Sequence, residues 1–347
     1  MGVEDAAINT QPLLSVRDLR IEFPLRRGTT LVAVDGISFD VKRGEILGIV
    51  GESGAGKSLT GQSVIGLLEA PGRIAGGKIL LDGQRIDNLA EAEMKKLRGA
   101  RIGMVFQDPL TSLNPLYRVG AQIVETIRTH LNVDEATAQE RAVSLLREVG
   151  LPAAEQRMSA YPHQLSGGMR QRVVIALALC AEPELVIADE PTTALDVSVQ
   201  TQVIQVLKQS CAERGAAVVL ITHDMGVVAE IADRVAVMYA GCIAEIGPVA
   251  QVIRRPRHPY TVGLMGTIPH LRADVASLVQ VPGVMPRLTA IPQGCAFHPR
   301  CPHTFEHCTR ERPMLTQADE TATACWLWTP EEEVRNGKAA NVRADDE

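Results

Sequence analysis

The chain has 347 residues, enough for about two domains with ample hydrophobic cores. Its 46% hydrophobic and 22% charged residues match an ordinary globular protein. The net charge of −6 argues against nucleic acid as the main ligand, because proteins that follow phosphate backbones usually carry a basic excess. No secretory signal is recognisable, and the longest apolar run, 173–181, is far shorter than a membrane span of roughly 20 residues. We therefore expect a cytosolic protein, or one held at a membrane by partners.

The first third of the chain predicts strands around a glycine-rich loop. Residues 13–23 and 31–41 alternate apolar and polar side chains, which predicts a half-buried antiparallel hairpin. Residues 45–50 are almost continuously apolar and predict a buried strand. The sequence GESGAGKS follows, and we expect a helix from there to about residue 68. Further strands are predicted at 76–83 and 101–107.

The middle of the chain predicts helices, and the part after it predicts a parallel sheet. Helical spacing extends from about 119 to 181, and one of its helices is expected to end at Gly150. Strands and helices then alternate, which indicates a parallel sheet covered by helices. Prolines 256 and 259 mark a boundary to a segment rich in proline and cysteine. The last residues, 330–347, are polar and predict a disordered tail.

The loop at 51–58 fits the phosphate-binding pattern G-x-x-x-x-G-K-[S/T], and it lies between a predicted strand and a predicted helix. Glycines let backbone N–H groups curl around phosphates, and the helix N-terminus adds positive potential. We expect Lys57 to reach the β- and γ-phosphates and the Ser58 hydroxyl to bind Mg²⁺. The residues expected to contact ATP are Gly51, Glu52, Ser53, Gly54, Ala55, Gly56, Lys57, Ser58 and Leu59.

Two adjacent carboxylates, Asp189 and Glu190, end the apolar strand predicted at 185–188. Buried charges are costly without a partner, and Mg²⁺ prefers carboxylate, phosphate and water oxygens. We expect Asp189 to bind Mg²⁺ through water and Glu190 to act as the general base that activates the attacking water. Two surface carboxylates at a strand end are the alternative, which the phosphate loop disfavours further.

A second anion cradle is predicted at LSGGMRQR, residues 165–172. Ser166 is a good N-cap, and Gly167 and Gly168 leave backbone amides exposed at a helix start. One nucleotide rarely needs two cradles. The simplest explanation is two nucleotides sandwiched between two subunits, with each cradle closing on the ATP of the other subunit.

From residue 13 to residue 255 the sequence resembles the ATP-binding cassette family of transporter subunits. Six motifs occur in the order of that family: the phosphate loop, a glutamine loop at Gln107, the signature 165–171, the strand 185–189 with Glu190, the loop Ala194-Leu195-Asp196, and His223. The resemblance implies a phosphate-loop NTPase fold of α/β class, with an antiparallel β subdomain and a helical subdomain at about 108–182.

The resemblance also implies roles for residues outside the phosphate loop. Gln107 would contact Mg²⁺ and the attacking water, and His223 would contact the γ-phosphate. Phe23 is the candidate for the aromatic residue that stacks on adenine. The implied contacts to the ATP of a partner subunit come from Ser166, Gly167, Gly168, Gln171 and Asp196. Mg²⁺ would be bound by Ser58, Gln107 and Asp189.

Four cysteines cluster near the C-terminus, at positions 295, 301, 308 and 325. In a cytosolic chain such a cluster more often binds a metal than forms disulfides. Four thiolates can hold zinc or a [4Fe–4S] cluster, and unligated cysteines in a small core are the alternative. The sequences HPYT (258–261) and CAFHPRCP (295–302) resemble the C-terminal extension of the oligopeptide/dipeptide/nickel importer branch. That resemblance implies a [4Fe–4S] cluster on Cys295, Cys301, Cys308 and Cys325, with zinc as the alternative.

The resemblance to this branch implies an ATP-hydrolysing importer subunit at the cytoplasmic face of the membrane. The signature resembles the D-type subunit, which implies a heterodimer with an F-type ATPase, two membrane permeases and a substrate-binding protein; a homodimer is the alternative. Peptides are the expected substrate, and a nickel chelate or another small solute remains open. A non-transport ATPase of the cassette family is less favoured, since the long coiled-coil insertion or second cassette is missing. Glu190 and His223 argue against a module without hydrolysis.

The expected units are a flexible N-terminus (1–12), the cassette (13–255), a small irregular cysteine-rich extension (256–329) and the tail (330–347).

Overall fold

Two β-sheets form the framework of the protein. We describe it from a computed structural model for residues 11–25, 28–192, 195–266 and 281–329. The predicted tails, apart from residues 11 and 12, lie outside these ranges, as does Ala194. The strands in chain order are β1 (Leu14–Pro24), β2 (Thr30–Val41), β3 (Ile46–Val50), β4 (Arg73–Leu81), β5 (Gln84–Arg85), β6 (Ile102–Val105), β7 (Leu185–Asp189), β8 (Ala217–Thr222), β9 (Arg234–Tyr239), β10 (Cys242–Pro248), β11 (Thr316–Ala318) and β12 (Thr321–Thr323).

Helices cover the sheets and form a separate group between β6 and β7. In chain order they are α1 (Lys57–Val64), α2 (Glu91–Leu97), α3 (Pro109–Ser112), α4 (Val119–His130), α5 (Glu135–Glu148), α6 (Ala154–Arg157), α7 (Gly167–Leu179), α8 (Val197–Arg214), α9 (Met225–Ile231), α10 (Val249–Arg254), α11 (Pro259–Met265) and α12 (Glu306–Arg310). Helices α3 to α7 lie within the range predicted for a helical subdomain, about 108–182, and α5 ends just before Gly150 as expected.

The smaller sheet is antiparallel, with the strand order β2-β1-β4-β5. The predicted hairpin of 13–23 and 31–41 is confirmed, since β1 pairs antiparallel with β2. Several limits differ from the predictions by two residues or more, among them the ends of β4 and β6. Helix α1 ends at Val64 instead of about 68, because Gly66 just beyond it has a positive φ that ends the helix. Strand β4 begins at Arg73, three residues before the predicted start.

The larger sheet has the order β11-β12-β10-β9-β3-β8-β7-β6. Strands β9, β3, β8, β7 and β6 are parallel neighbours, as the alternating pattern predicted. Their side chains are buried on both faces, which explains why the segments read as continuous apolar runs. The carboxyl ends of these parallel strands meet at one edge, where ligands bind in open α/β sheets.

The C-terminal extension was expected to be irregular, and this expectation is wrong in one respect. Its strands β11 and β12 continue the larger sheet, because β12 pairs with β10 at Glu245–Thr323 and Ile246–Ala322. Strands of three residues carry too little periodicity to be recognised in a sequence. The predicted boundary between 255 and 256 therefore separates two sequence regions that share one sheet.

Candidate nucleotide-binding site

A cleft of about 520 Å³ opens at the carboxyl edge of the parallel strands. This volume suits a small-molecule ligand. The cleft is lined by Ser53, Gly54, Gly56, Lys57, Ser58, Leu59, Gln107, Glu190, His223 and Leu288. A larger cavity, about 830 Å³, lies among α4, α5 and α6, away from the groups that carry chemistry. The sequence motifs and the cleft at the strand ends thus agree on one place.

Backbone geometry explains two glycines of the phosphate loop. Gly51 has φ +154°, and a Cβ there would lie 2.2 Å from the Met238 carbonyl oxygen. Gly56 has φ +98°, and a Cβ there would lie 2.9 Å from the Ala33 carbonyl oxygen. Any larger residue would push the loop away from the strands that support it. The loop can therefore keep its N–H groups directed into the cleft only with glycine at these positions.

Lys57 is buried at the base of the cleft. Its ammonium donates hydrogen bonds to the carbonyl oxygens of Gly51, at 2.9 Å, and Glu52, at 3.1 Å. Burial lowers the pKa of this ammonium, although the nearby charges of Glu190, Asp189 and Glu52 oppose that shift. A phosphate in the cleft would give this buried ammonium a directly bound anionic partner.

Ser58 and Asp189 meet on the same side of the cleft. The Ser58 hydroxyl donates to Asp189 Oδ1 at 2.9 Å. Burial raises the pKa of Asp189, the Ser58 hydrogen bond opposes the shift, and the charge of Glu190 adds to it. Two oxygen ligands of the type that Mg²⁺ prefers therefore lie side by side at the phosphate loop.

Glu190 brings together the other two predicted catalytic side chains. Gln107 Nε2 donates to Glu190 Oε2 at 3.1 Å, and His223 Nδ1 lies 3.5 Å from Glu190 Oε1. The backbone N–H of Glu190 donates to the Ile221 carbonyl at 2.8 Å, which ties it to the end of β8. Three residues that are far apart in the sequence therefore converge on one point of the cleft.

The signature residues do not line this cleft. Ser166 caps α7 by accepting the Met169 N–H at 3.4 Å, and Ser166, Gly167 and Asp196 are exposed. Gln171 differs from the prediction, because its side chain is only 1% exposed and cannot reach a nucleotide outside the subunit in this conformation. The helical period explains the difference: Gln171 lies four residues into α7, on a side that faces the core.

Several predicted ATP contacts lie elsewhere. Gly51, Glu52 and Ala55 do not line the cleft, and Ala55 is buried. Phe23 is also outside the lining, and its ring packs tightly beside Gly72. Leu288, from the C-terminal extension, was not predicted, and no motif marks it in the sequence.

The four C-terminal cysteines line one small cavity, together with His258, Phe297 and Trp326. All four have free thiols. Burial raises the pKa of Cys295 to about 11 and that of Cys325 to about 12. In the part of the chain that the structure describes, no three His, Cys, Asp or Glu side chains converge closely enough to hold a metal ion. The structure therefore brings the four cysteines to one cavity, and the predicted metal or cluster on them stays a prediction.

The fold, the phosphate loop and the strand-end carboxylates define an ATP-binding cassette. Residues 34–193 match the family model described as ABC transporter, and residues 244–308 match the one described as oligopeptide/dipeptide transporter, C-terminal region. The chain therefore belongs to the family of ATP-binding subunits of ABC transporters, in the oligopeptide/dipeptide branch, and it is an ATPase.

Individual relatives cover nearly the whole chain. The oligopeptide transport ATP-binding protein OppD of Escherichia coli K12 is 48% identical over 314 residues, which are 90% of this chain and 93% of the relative. The dipeptide transport ATP-binding protein DppD of Bacillus subtilis 168 is 46% identical over 319 residues, 91% of this chain and 95% of the relative.

A solved structure supports the cassette fold. The dimeric post-hydrolysis state of the ATP-binding cassette MJ0796, bound to ADP and Pi, has a TM-score of 0.61 and 27% identity over 68% of this chain and 98% of that chain. Across the described ranges, none of the helices is long and apolar enough to cross a membrane.

Proposed function

We propose that this chain is the ATP-hydrolysing subunit of an importer of short peptides. The observation that carries the proposal is the match of the C-terminal region to the oligopeptide/dipeptide model, together with relatives named as oligopeptide and dipeptide transport ATP-binding proteins. A nickel chelate or another small solute is the alternative substrate. ATP binding and hydrolysis would shift the permeases between their access states.

The geometry of the cleft supports a division of labour in hydrolysis. Lys57 would bind the terminal phosphates, and Ser58 and Asp189 would hold Mg²⁺ between them and the nucleotide. Mg²⁺ supplies positive charge to the phosphates when it is bound. Glu190 would orient and deprotonate the attacking water, and Gln107 and His223 hold its carboxylate in place.

The signature supports a two-subunit site. Ser166 and Gly167 are exposed at the N-terminus of α7, outside the cleft of their own subunit, beside the exposed Asp196. Exposed N–H groups at a helix start form an anion site that a second subunit's ATP would fill. We propose that the partner is an F-type ATPase subunit, with a homodimer as the alternative. Phe23 stays a candidate for adenine contact in that assembly.

An exposed apolar segment supports attachment to the permeases. Phe106, Leu110, Leu116 and Tyr117 follow or flank Gln107, and Leu116 is 81% exposed. Contiguous exposed apolar side chains mark interaction sites. A permease bound there would lie next to Gln107, which contacts Glu190, so the segment joins the membrane partner to the catalytic groups. This contact would hold the chain at the cytoplasmic face of the membrane, with a substrate-binding protein on the other side.

We also propose a [4Fe–4S] cluster on Cys295, Cys301, Cys308 and Cys325. The four thiols line one cavity, and four thiolates can hold such a cluster; zinc is the alternative. These residues would hold the cluster as thiolates, whereas burial without a ligand favours the protonated thiols. The cluster would stabilise the extension.

The proposal is tested by uptake into vesicles that contain the complete transporter. We expect ATP-dependent uptake of a dipeptide or oligopeptide and no uptake in the Lys57→Ala variant, because that change removes the ammonium at the phosphates. Leu116→Asp is expected to lose uptake while the ATP affinity of the purified chain stays unchanged, since Leu116 lies outside the cleft.

Two results would contradict the proposal. Uptake of a nickel chelate but of no peptide would show that the substrate is the nickel chelate and not a peptide. Peptide uptake that persists in the Lys57→Ala variant would show that this cleft does not power transport.

A further inference from the structure

The C-terminal extension contacts the phosphate loop through a buried arginine. Arg300 directly precedes Cys301, and its side chain is only 6% exposed. Its Nη1 lies 3.0 and 3.2 Å from the two carboxylate oxygens of Glu52, the second residue of the loop. The guanidinium also donates to the carbonyl oxygens of Pro282, at 2.7 Å, and Val281, at 3.3 Å. The arginine is therefore fixed from its own side before it reaches the loop.

A second residue of the extension holds the same loop position. The Tyr260 hydroxyl accepts the backbone N–H of Glu52 at 2.9 Å. The side chain of Tyr260 is completely buried, and its ring lies 4.7 Å from that of Tyr239 and 5.5 Å from that of Phe297. His258 caps the helix that carries Tyr260, because its Nδ1 accepts the Tyr260 N–H at 3.0 Å. The sequence His-Pro-Tyr thus places a hydroxyl at the phosphate loop.

Glu52 links these external contacts to the interior of the cleft. Its carbonyl oxygen accepts a hydrogen bond from the Lys57 ammonium at 3.1 Å, and the Gly51 carbonyl accepts another at 2.9 Å. The extension therefore bonds to the N–H and the carboxylate of Glu52, and the carbonyl of Glu52 bonds to Lys57. A rotation of this part of the backbone would move the ammonium and the N–H groups that follow it.

We propose that Arg300 and Tyr260 are positioning residues for ATP binding: they hold Glu52 so that Lys57 and the loop N–H groups face the nucleotide phosphates. This inference rests on the proposed role of the phosphate loop. Preorganised groups bind more tightly because less order has to be imposed when the ligand arrives. The extension thus acts on the ATP site of its own subunit.

The test measures ATP affinity of the purified full chain with a fluorescent ATP analogue, and KM and kcat in the complete transporter. Arg300→Met removes the charge and keeps a long side chain. We expect about tenfold weaker ATP binding, the effect of losing a charge-assisted hydrogen bond. KM is expected to rise while kcat changes little, which is the sign of lost binding rather than lost chemistry. Arg300→Lys is expected to recover part of the loss.

Two further variants separate positioning from general damage to the extension. Arg310→Met is the matched control, because Arg310 lies in the same extension and its exposed side chain pairs with Glu306 of its own helix; its ATP affinity should equal that of the wild type. Glu52→Gln removes the carboxylate from the loop side and leaves the extension unaltered. We expect it to weaken ATP binding as Arg300→Met does, and the double variant to be no weaker than either single variant.

Wild-type affinity in both Arg300→Met and Glu52→Gln would overturn the proposal, as would additive losses in the double variant. If Arg300→Met does not fold, Glu52→Gln alone decides between the outcomes. Failure of the wild type to bind ATP would overturn the phosphate-loop assignment as well. The Lys57→Ala variant distinguishes failure of the positioning role from failure of the phosphate-loop assignment, because it should abolish ATP binding in a protein whose Arg300 is intact.

Discussion

Glu190 has a φ of +45°, a left-handed conformation that few residues other than glycine adopt. Such a conformation costs about 1–3 kcal/mol and persists only where neighbouring contacts impose it. Here the hydrogen bond to Ile221 imposes it and turns the carboxylate toward Gln107 and His223. The strain is therefore tied to the position of the general base that we propose.

Single residues show how far motifs predict a site. Lys57, Ser58, Asp189 and Glu190 lie where the phosphate-loop and carboxylate patterns predicted, because those patterns encode a local turn next to a strand end. Gln171 was assigned to a partner's ATP on motif membership alone, and the helical period buries it. Burial depends on the surroundings of the whole helix, which a motif does not describe.

His258 gives a pH prediction at the same scale. Complete burial lowers its pKa to about 4, whereas an unfolded histidine titrates near 6.5. The unfolded state therefore binds the proton first as the pH falls, so stability is full above about 6.5 and is lost toward pH 4. We expect the loss to reach about 3 kcal/mol between pH 7 and pH 4.

The measurement for this prediction is the free energy of unfolding in urea as a function of pH. His258→Asn keeps an N-cap acceptor for the Tyr260 N–H and binds no proton. The stability of the wild type should fall relative to this variant as the pH is lowered. Parallel curves for the two proteins would mean that His258 is not buried in its neutral form.

At the scale of elements, regular patterns were predictable and short connections were not. The hairpin β1–β2 has a clear alternation of apolar and polar residues, and the buried strands β3 and β7 are apolar runs; these strands formed as expected. Strands β11 and β12 have three residues each, and their pairing with β10 could not be recognised. The contact between Arg300 and Glu52 spans 248 positions, and nothing local in the sequence encodes it.

The cysteine-rich element carries its own prediction. Protein purified without oxygen should be brown, with broad visible absorbance that disappears in Cys301→Ser, because four thiolates are needed to hold the cluster. Cys211→Ala is the matched control, since Cys211 is a buried residue of α8 and lies outside the cysteine cavity. Stoichiometric zinc without iron would contradict the cluster, and so would colour that survives in Cys301→Ser.

For the whole molecule, the main proposal is that ATP binding is divided between two surfaces, the cleft and the N-terminus of α7. The cleft contains the phosphate loop and Glu190, while Ser166 and Gly167 are presented to the outside on another element. This placement supports our proposal that a single chain carries two half-sites, each completed by a partner subunit. The sequence predicts this division from two anion cradles, and it stays a prediction; the identity of the partner is not encoded in this chain.

The most direct test of the account is ATP turnover by the Glu190→Gln variant, measured on the chain with its partner ATPase subunit. Without the general base, we expect ATP to bind normally, phosphate release from this site to fall by at least about a hundredfold, and the two subunits to remain closed around ATP. Glu182→Gln is the matched control, because Glu182 is also a glutamate with positive φ but is exposed and lies outside the cleft.

The account predicts that the control hydrolyses ATP like the wild type, while Glu190→Gln elutes as a stable dimer that retains its ATP. Phosphate release at the wild-type rate from the site of the Glu190→Gln variant would contradict it.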